Sequence, residues 1–151
     1  MASIRPFLWF QRDTAEAAAF YAEALRGSIE VTIDGDGPSP TVHLGDLELV
    51  LFEGGEVPFS LNAATSLSIT CEDQAEVDRL WAALSEGGAE GRCGWLTDRF
   101  GLSWQVVPAQ LYALLSDPNP ARAAAAHAAM MTMDKLDVAV LQAAADGAQH
   151  Q

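Results

Sequence analysis

The sequence is poor in basic residues, in cysteine and in long apolar runs. Its 151 residues include only 8 Lys and Arg against 21 Asp and Glu, so the formal net charge is −13. A phosphate backbone is bound by clustered basic residues, and none cluster here. The sequence therefore argues against nucleic acid and anionic membranes as partners. No apolar run approaches the roughly 20 residues that a transmembrane helix requires.

Other signals are also missing. The first six residues lack the basic and apolar regions of a secretory signal peptide, so we expect a cytoplasmic protein. The two cysteines, Cys71 and Cys93, form no CxxC pair, which favours free thiols over a metal or redox motif. Half of the residues are apolar, enough for one domain with a buried core.

The first part of the chain predicts a strand, a helix and three further strands. Residues 4–10 are apolar and aromatic, as in a strand. Asp13 and Glu16 have the spacing of a capping box, with Asp13 as the N-cap of a helix. Further strands are predicted at 29–33, 41–44 and 47–52, the last two joined by a Gly45-Asp46 hairpin turn.

The same pattern then begins again. A strand at 67–71 precedes a second capping box, Asp73 and Glu76, which lies sixty residues after the first. Strands at 90–93 and 102–107 follow the second helix. A strand, a capped helix and strands that recur once indicate an internal duplication. We therefore predict two βαβββ modules, about 4–55 and 65–108, within a domain at 1–117.

The remainder of the chain is predicted to be helical. A short helix at 109–115 follows Pro108, and Asn119-Pro120 is typical of a helix start. Further helices are expected at 121–133 and 134–145. The sequence predicts a C-terminal helical extension over residues 118–151.

Several stretches resemble the PhnB-like proteins, a branch of the vicinal-oxygen-chelate superfamily of glyoxalases, bleomycin-resistance proteins and extradiol dioxygenases. They are Pro6–Phe10 followed by Ala17–Tyr21, the long stretch Gly91–Pro108, and Met130–Asp137. The resemblance implies an α+β fold in which two βαβββ modules form cupped mixed sheets, in an intertwined homodimer. Proteins of this branch often carry the label 3-demethylubiquinone 3-methyltransferase. The chain lacks the Gly-rich strand–loop–helix start of a usual S-adenosylmethionine site, which disfavours that activity.

The resemblance also implies four positions for metal ligands in the cup. Counting back from the first helix places the first at Pro6, and the sixty-residue offset places its mate at Ser66. The other two, Gln105 and Leu49, each lie four residues after the glycine of a turn, Gly101 and Gly45. Pro and Leu have no ligating atom, so we expect no superfamily metal site and no cofactor. A displaced site built from His43, Glu53 and Gln105 is the alternative.

Strand side chains alternate between faces, which predicts the lining of the cup. The candidate pocket residues are Leu8, Phe10, Leu49, Leu51, Glu53, Ser66, Ser68, Thr70, Trp95, Ser103 and Gln105. Trp95 either covers the cup or packs in the core with Trp104, and Asp98-Arg99 either forms a surface turn or meets an anionic substrate. Packing and a surface turn are favoured.

These observations predict a homodimer that binds a small molecule without a metal. A filled cup that serves only dimerisation, a metal-dependent lyase or dioxygenase, and a methyltransferase are the alternatives. The sequence identifies no catalytic residue and leaves open whether the C-terminal helices are exchanged between subunits.

Overall fold

A computed structural model describes residues 1–148. They form eight strands and five helices in two compact units, 1–63 and 64–151. The last three residues of the predicted extension, including His150, lie outside the described residues. No helix within residues 1–148 has both the length and the apolar character needed to cross a bilayer. The elements are β1 (Phe7–Phe10), α1 (Thr14–Ala24), β2 (Val31–Asp34), β3 (Thr41–Leu44), β4 (Leu47–Glu53), β5 (Ser66–Cys71), α2 (Gln74–Ser85), β6 (Ala89–Glu90), β7 (Trp95–Thr97), β8 (Ser103–Pro108), α3 (Ala109–Leu115), α4 (Pro120–Met130) and α5 (Val138–Ala148).

The two units contain the same sheet. The strand order is β1-β4-β3-β2 in the first unit and β5-β8-β7-β6 in the second. In each, the first strand pairs parallel with the last, and the remaining pairs are antiparallel. The predicted α+β fold with two duplicated βαβββ modules is therefore confirmed.

The second module differs from the predicted strands around Cys93. In place of the strand expected at 90–93, the structure has the two-residue strand β6 (Ala89–Glu90). A further strand, β7, was not predicted and begins at Trp95. Cys93 and Gly94 have φ angles of 57° and 85°, so the backbone turns there instead of remaining extended. The turn separates two short strands where the sequence indicated one.

The starts of α1 and α2 are capped in different ways. At α2, the Glu76 N–H donates to Asp73 Oδ1 at 2.9 Å, and Glu76 Oε1 accepts from the Glu72 N–H at 2.9 Å. This capping box is confirmed. At α1, Asp13 adopts a left-handed conformation and makes no side-chain cap hydrogen bond, so the first predicted box is wrong. Glu53 replaces it, because its Oε1 accepts from both the N–H and the hydroxyl of Thr14 at 3.1 Å.

The helices α3, α4 and α5 share a core with the second module. The Asn119 side chain caps α4 by accepting from the Ala121 N–H at 3.0 Å, as the sequence predicted. The helix α5 begins four residues later than predicted because Asp137 Oδ1 accepts from the Val140 N–H at 3.1 Å. The predicted boundary near residue 117 stays a prediction. The buried residues of this core are Val107, Leu111, Leu114, Ala126, Leu136, Leu141 and Ala145.

Arg122 on α4 ties the C-terminal helices together. Its guanidinium donates to Asp117 Oδ2 and to Asp146 Oδ1, each at 2.9 Å. The hydrogen bond from Arg122 lowers the pKa of Asp117 below its ordinary value of 3.8. A depressed carboxylate pKa stabilises the fold above the unfolded-state pKa, and this contribution is lost as the pH falls through the folded-state pKa.

We expect Arg122→Gln to lower the urea midpoint at pH 7. The difference from the wild type should shrink as the pH falls from the unfolded-state pKa of Asp117 through its lower folded-state pKa, because the ion pair is lost as the carboxylate becomes protonated. Urea titrations at pH 7 and pH 3 measure this. Arg26→Gln, which removes an exposed ion pair with Glu23, is the control and should have little effect. An undiminished difference at pH 3 would contradict the assigned role of Asp117.

Candidate functional site

The second sheet has one face covered by α2 and one opposite α2. Ile69 and Cys71 of β5 and Trp104 and Val106 of β8 are buried on the α2 side. The alternate residues point to the other face. Its side chains are Ser66, Ser68 and Thr70 of β5, Trp95 and Thr97 of β7, and Ser103, Gln105 and Val107 of β8. Ser66, Ser68, Thr70, Trp95, Ser103 and Gln105 therefore share one face of the sheet, and their role as the lining of a ligand pocket stays a prediction.

Gln105 is the centre of the face opposite α2. Its Nε2 donates to Ser66 Oγ at 3.0 Å. Ser68 and Trp95 are its in-register neighbours on the two adjacent strands. At the far end of β8, Val107 is buried in the core of the C-terminal helices. On this face Ser68, Thr70 and Thr97 are exposed, Ser66, Trp95 and Gln105 are half-buried, and Ser103 is buried.

The long stretch from Gly91 to Pro108 is organised by a buried carboxylate. Asp98 is 2% exposed. Its Oδ1 accepts from the N–H groups of Phe100 and Leu102, at 2.9 and 3.1 Å, and its Oδ2 accepts from the indole Nε1 of Trp104 at 2.8 Å. The expected surface position of Asp98 is therefore wrong, although Trp104 packs in the core as expected. Trp95 is half-buried on the face opposite α2.

In the first unit, the predicted pocket residues lie on the side of the helix. Leu8, Phe10, Leu49 and Leu51 are buried, and the register places them on one face of the sheet together with Glu53. Glu53 contacts the start of α1, so α1 covers this face. The predicted orientation of these five side chains is wrong.

A one-residue difference between the modules explains the error on β1, whereas the error on β4 arises because the turn before β4 has two residues and the turn before β8 has five. Three residues separate the end of β1 from the start of α1, whereas two separate β5 from α2. The extra residue is accommodated at Asp13, where φ is 62°. Counting from the helices by sixty residues therefore shifts the strand by one position, and a shift of one position exchanges the two faces of a strand.

The face opposite α1 carries a cluster of aromatic side chains that the sequence did not predict. The rings of Phe7 and Trp9 lie 5.0 and 4.9 Å from that of Phe52, and Trp9 lies 5.5 Å from Phe59. Phe7 and Phe59 are 60% and 56% exposed. The alternation of side chains along β1 and β4 could have placed Phe7, Trp9 and Phe52 on one face. The count from the first helix instead assigned that face to the alternate residues.

Polar residues continue this face across the first sheet. Arg5 donates to Glu48 at 2.7 Å, and Glu48 lies opposite His43 in the hairpin. The His43 Nε2 is 2.7 Å from Asp34 Oδ2. A pocket of about 220 Å³ lies beside His43 and is lined by Glu30, Thr32, His43, Gly45 and Asp46.

The structure does not bring the residues of the alternative, displaced metal site together within the first sheet. His43 lies on the face opposite α1, whereas Glu53 lies on the face under α1. Of the assigned ligand positions, Leu49 also faces α1, and Pro6 precedes β1. Within residues 1–148, no group of three or more His, Cys, Asp or Glu side chains is placed to hold a metal ion.

The family model described as 3-demethylubiquinone-9 3-methyltransferase matches residues 2–107. The chain belongs to this PhnB-like family. It is similar to the PhnB protein from Bacillus cereus, with 28% identity, a TM-score of 0.60, and coverage of 72% of this chain and 100% of that one. Protein PA1353 from Pseudomonas aeruginosa is 26% identical, with a TM-score of 0.54 and coverage of 72% and 98%.

The fold is also that of more distant proteins. A structure described as a possible glyoxalase from Bacillus cereus is 16% identical, with a TM-score of 0.52 and coverage of 71% of this chain and 98% of that one. At this identity the likeness concerns the fold alone. The PhnB-like chain therefore has a glyoxalase/bleomycin-resistance-like fold, as the sequence predicted. None of the curated proteins matches it.

Proposed function

We propose that this PhnB-like protein binds an uncharged small molecule on the face opposite α2, without a metal ion. The observation that carries the proposal is the Gln105–Ser66 pair, held at 3.0 Å. The hydrogen bond fixes the amide plane of Gln105. The amide still has its Oε1 acceptor and a second N–H, and no described residue is a partner for them.

The chemistry of the neighbouring side chains defines the class of ligand. Every residue of this face on β5, β7 and β8 is neutral. Trp95 offers an apolar surface beside Gln105, and the small side chains of Ser66 and Ser68 leave space in front of it. Apolar walls with a few placed polar groups are typical of small-molecule sites. An uncharged aromatic compound with a hydroxyl or carbonyl group fits this combination.

The test is a titration in EDTA with phenol, acetophenone, benzoate and benzylamine, followed by tryptophan fluorescence. We expect binding of the uncharged compounds, with saturation that is independent of metal. Gln105→Leu should weaken it roughly tenfold or more, because a ligand polar group then loses its partner. Gln142→Leu, on the exposed surface of α5, is the matched control.

Two results would overturn the proposal. Equal affinity of the Gln105→Leu variant would place the ligand elsewhere. Binding that appears only after Mn²⁺, Fe²⁺, Ni²⁺ or Zn²⁺ is added would support a metal-dependent lyase or dioxygenase instead. Calorimetry with S-adenosylmethionine tests the methyltransferase named by the family model, and tight binding would favour that activity.

We also propose that the protein is a homodimer. The exposed aromatic residues Phe7 and Phe59 and the edge strand β2 support a partner surface, because exposed apolar groups and sheet edges are usually covered. Light scattering coupled to gel filtration should give twice the chain mass of 16.1 kDa. A monomer mass at 50 µM protein would refute the dimer.

A further inference from the structure

We propose that Cys93 and Met131 form a binding site for a soft monovalent metal ion of the Cu(I) class. The Cys93 Sγ lies 3.8 Å from the Met131 Sδ. Cys93 is half-buried and Met131 is 51% exposed, so an ion can reach both sulfurs from solvent. This pair shares no residue with the Gln105 site, and the proposal does not depend on the function proposed for that site.

The backbone holds the two sulfurs together. Cys93 is in the turn between β6 and β7, and Met131 is the C-cap residue of α4. The Cys93 N–H donates to Met133 O at 2.8 Å, and the Gly94 N–H donates to Asp134 O at 2.7 Å. Arg92 Nη2 donates to Met131 O at 2.9 Å. The two segments are therefore fixed to each other independently of the sulfur contact, as a preorganised site requires.

The spacing suits a metal with few ligands. With metal–sulfur bonds of roughly 2.3 Å, sulfurs 3.8 Å apart close an S–metal–S angle of about 110°. This angle leaves a third position open for a ligand from solution. Zinc prefers four N, O or thiolate ligands, whereas thiolate and thioether together select Cu(I).

Binding requires no change in the oxidation state of the metal. The Cys93 thiol releases its proton to solvent as the sulfur bonds the ion, so one proton appears for each ion bound. The net charge of −13 favours the approach of a cation. Cys71 cannot compete in the folded chain, since it is fully buried and burial raises the pKa of its thiol to about 11.

The experiment titrates the full chain with silver nitrate in a chloride-free buffer, where Ag⁺ is a redox-inert probe. We expect one Ag⁺ per chain by calorimetry, and a shift of the Met131 methyl signal in the NMR spectrum of methyl-labelled methionine. Met131→Leu should weaken binding at least tenfold. Met133→Leu removes a neighbouring sulfur that packs against the C-terminal core and should leave the affinity unchanged.

Two outcomes would overturn the site. If Met131→Leu binds Ag⁺ as tightly as the wild type, the thiol acts alone and there is no paired site. If Cys93→Ser, confirmed as folded by circular dichroism, still binds one Ag⁺, the ion lies elsewhere. An anaerobic competition with a Cu(I) chelator repeats the comparison and should give the same order of variants.

Discussion

Asp98→Ala is expected to destabilise the protein by about 3–5 kcal/mol. The variant removes a buried acceptor from the N–H groups of Phe100 and Leu102 and from the indole of Trp104. Each buried donor left without a partner costs about 1–3 kcal/mol. A loss of this size is a large part of the 5–15 kcal/mol that is typical of a whole domain. Urea denaturation followed by tryptophan fluorescence measures it.

Three further variants locate the effect. Asp98→Asn should be less severe than alanine but still destabilising, because its NH2 group meets an N–H donor on one side. Trp104→Phe removes the indole N–H, so Asp98→Ala should cost less in that background. Asp36→Ala, in an exposed turn, should change stability by less than about 0.5 kcal/mol. An Asp98→Ala effect as small as that of Asp36→Ala would show that the hydrogen bonds of Asp98 add little.

Leu141→Ala is expected to cost about 2–5 kcal/mol. Leu141 is fully buried between the C-terminal helices and the end of β8. Alanine removes apolar contact and leaves a cavity, because a close-packed core relaxes only in part. Val140 is the neighbouring residue on α5 and is 50% exposed, so Val140→Ala is a matched control.

The same pair of variants tests whether α5 is part of the core. Urea midpoints and the amide exchange of α4 and α5 should change in Leu141→Ala, whereas Val140→Ala should stay within about 0.5 kcal/mol of the wild type. If the two variants were equally stable, α5 would not contribute to the core of the second unit. The C-terminal helices would then be an extension that adds no stability to the second module.

Local chemistry made the fold predictable from the sequence. The Asp73 capping box, the Gly45 hairpin and the Asn119-Pro120 helix start each involve residues close together in the chain, and the structure contains all three. The duplication was also visible, because it rests on patterns within each module. The helix α3 was predicted with its observed bounds.

The candidate site was less predictable because it depends on which face of the sheet each strand residue occupies. An error of one residue in counting along the chain exchanges the two faces. Gln105 and Leu49 were both counted four residues from the glycine of a turn. Gln105 lies on the face opposite α2, whereas Leu49 faces α1, because two residues separate β3 from β4 but five separate β7 from β8. Asp98 was assigned to the surface because a charged residue in a turn is usually solvated. Its partners are two N–H groups of the turn itself, those of Phe100 and Leu102, and the indole of Trp104 on β8, and composition alone does not indicate these contacts.

The exchange of Asp13 for Glu53 as the cap of α1 affects how the two modules fold. In α2, Asp73 and Glu76 can close the first turn as soon as the segment is helical, since both lie within it. In α1, the carboxylate comes from the end of β4, 39 residues further along the chain. A peptide containing only the α2 segment thus retains its cap, whereas one containing only α1 does not. The cap of the first helix therefore forms only after a long loop has closed, whereas the cap of the second can assist helix nucleation from the start.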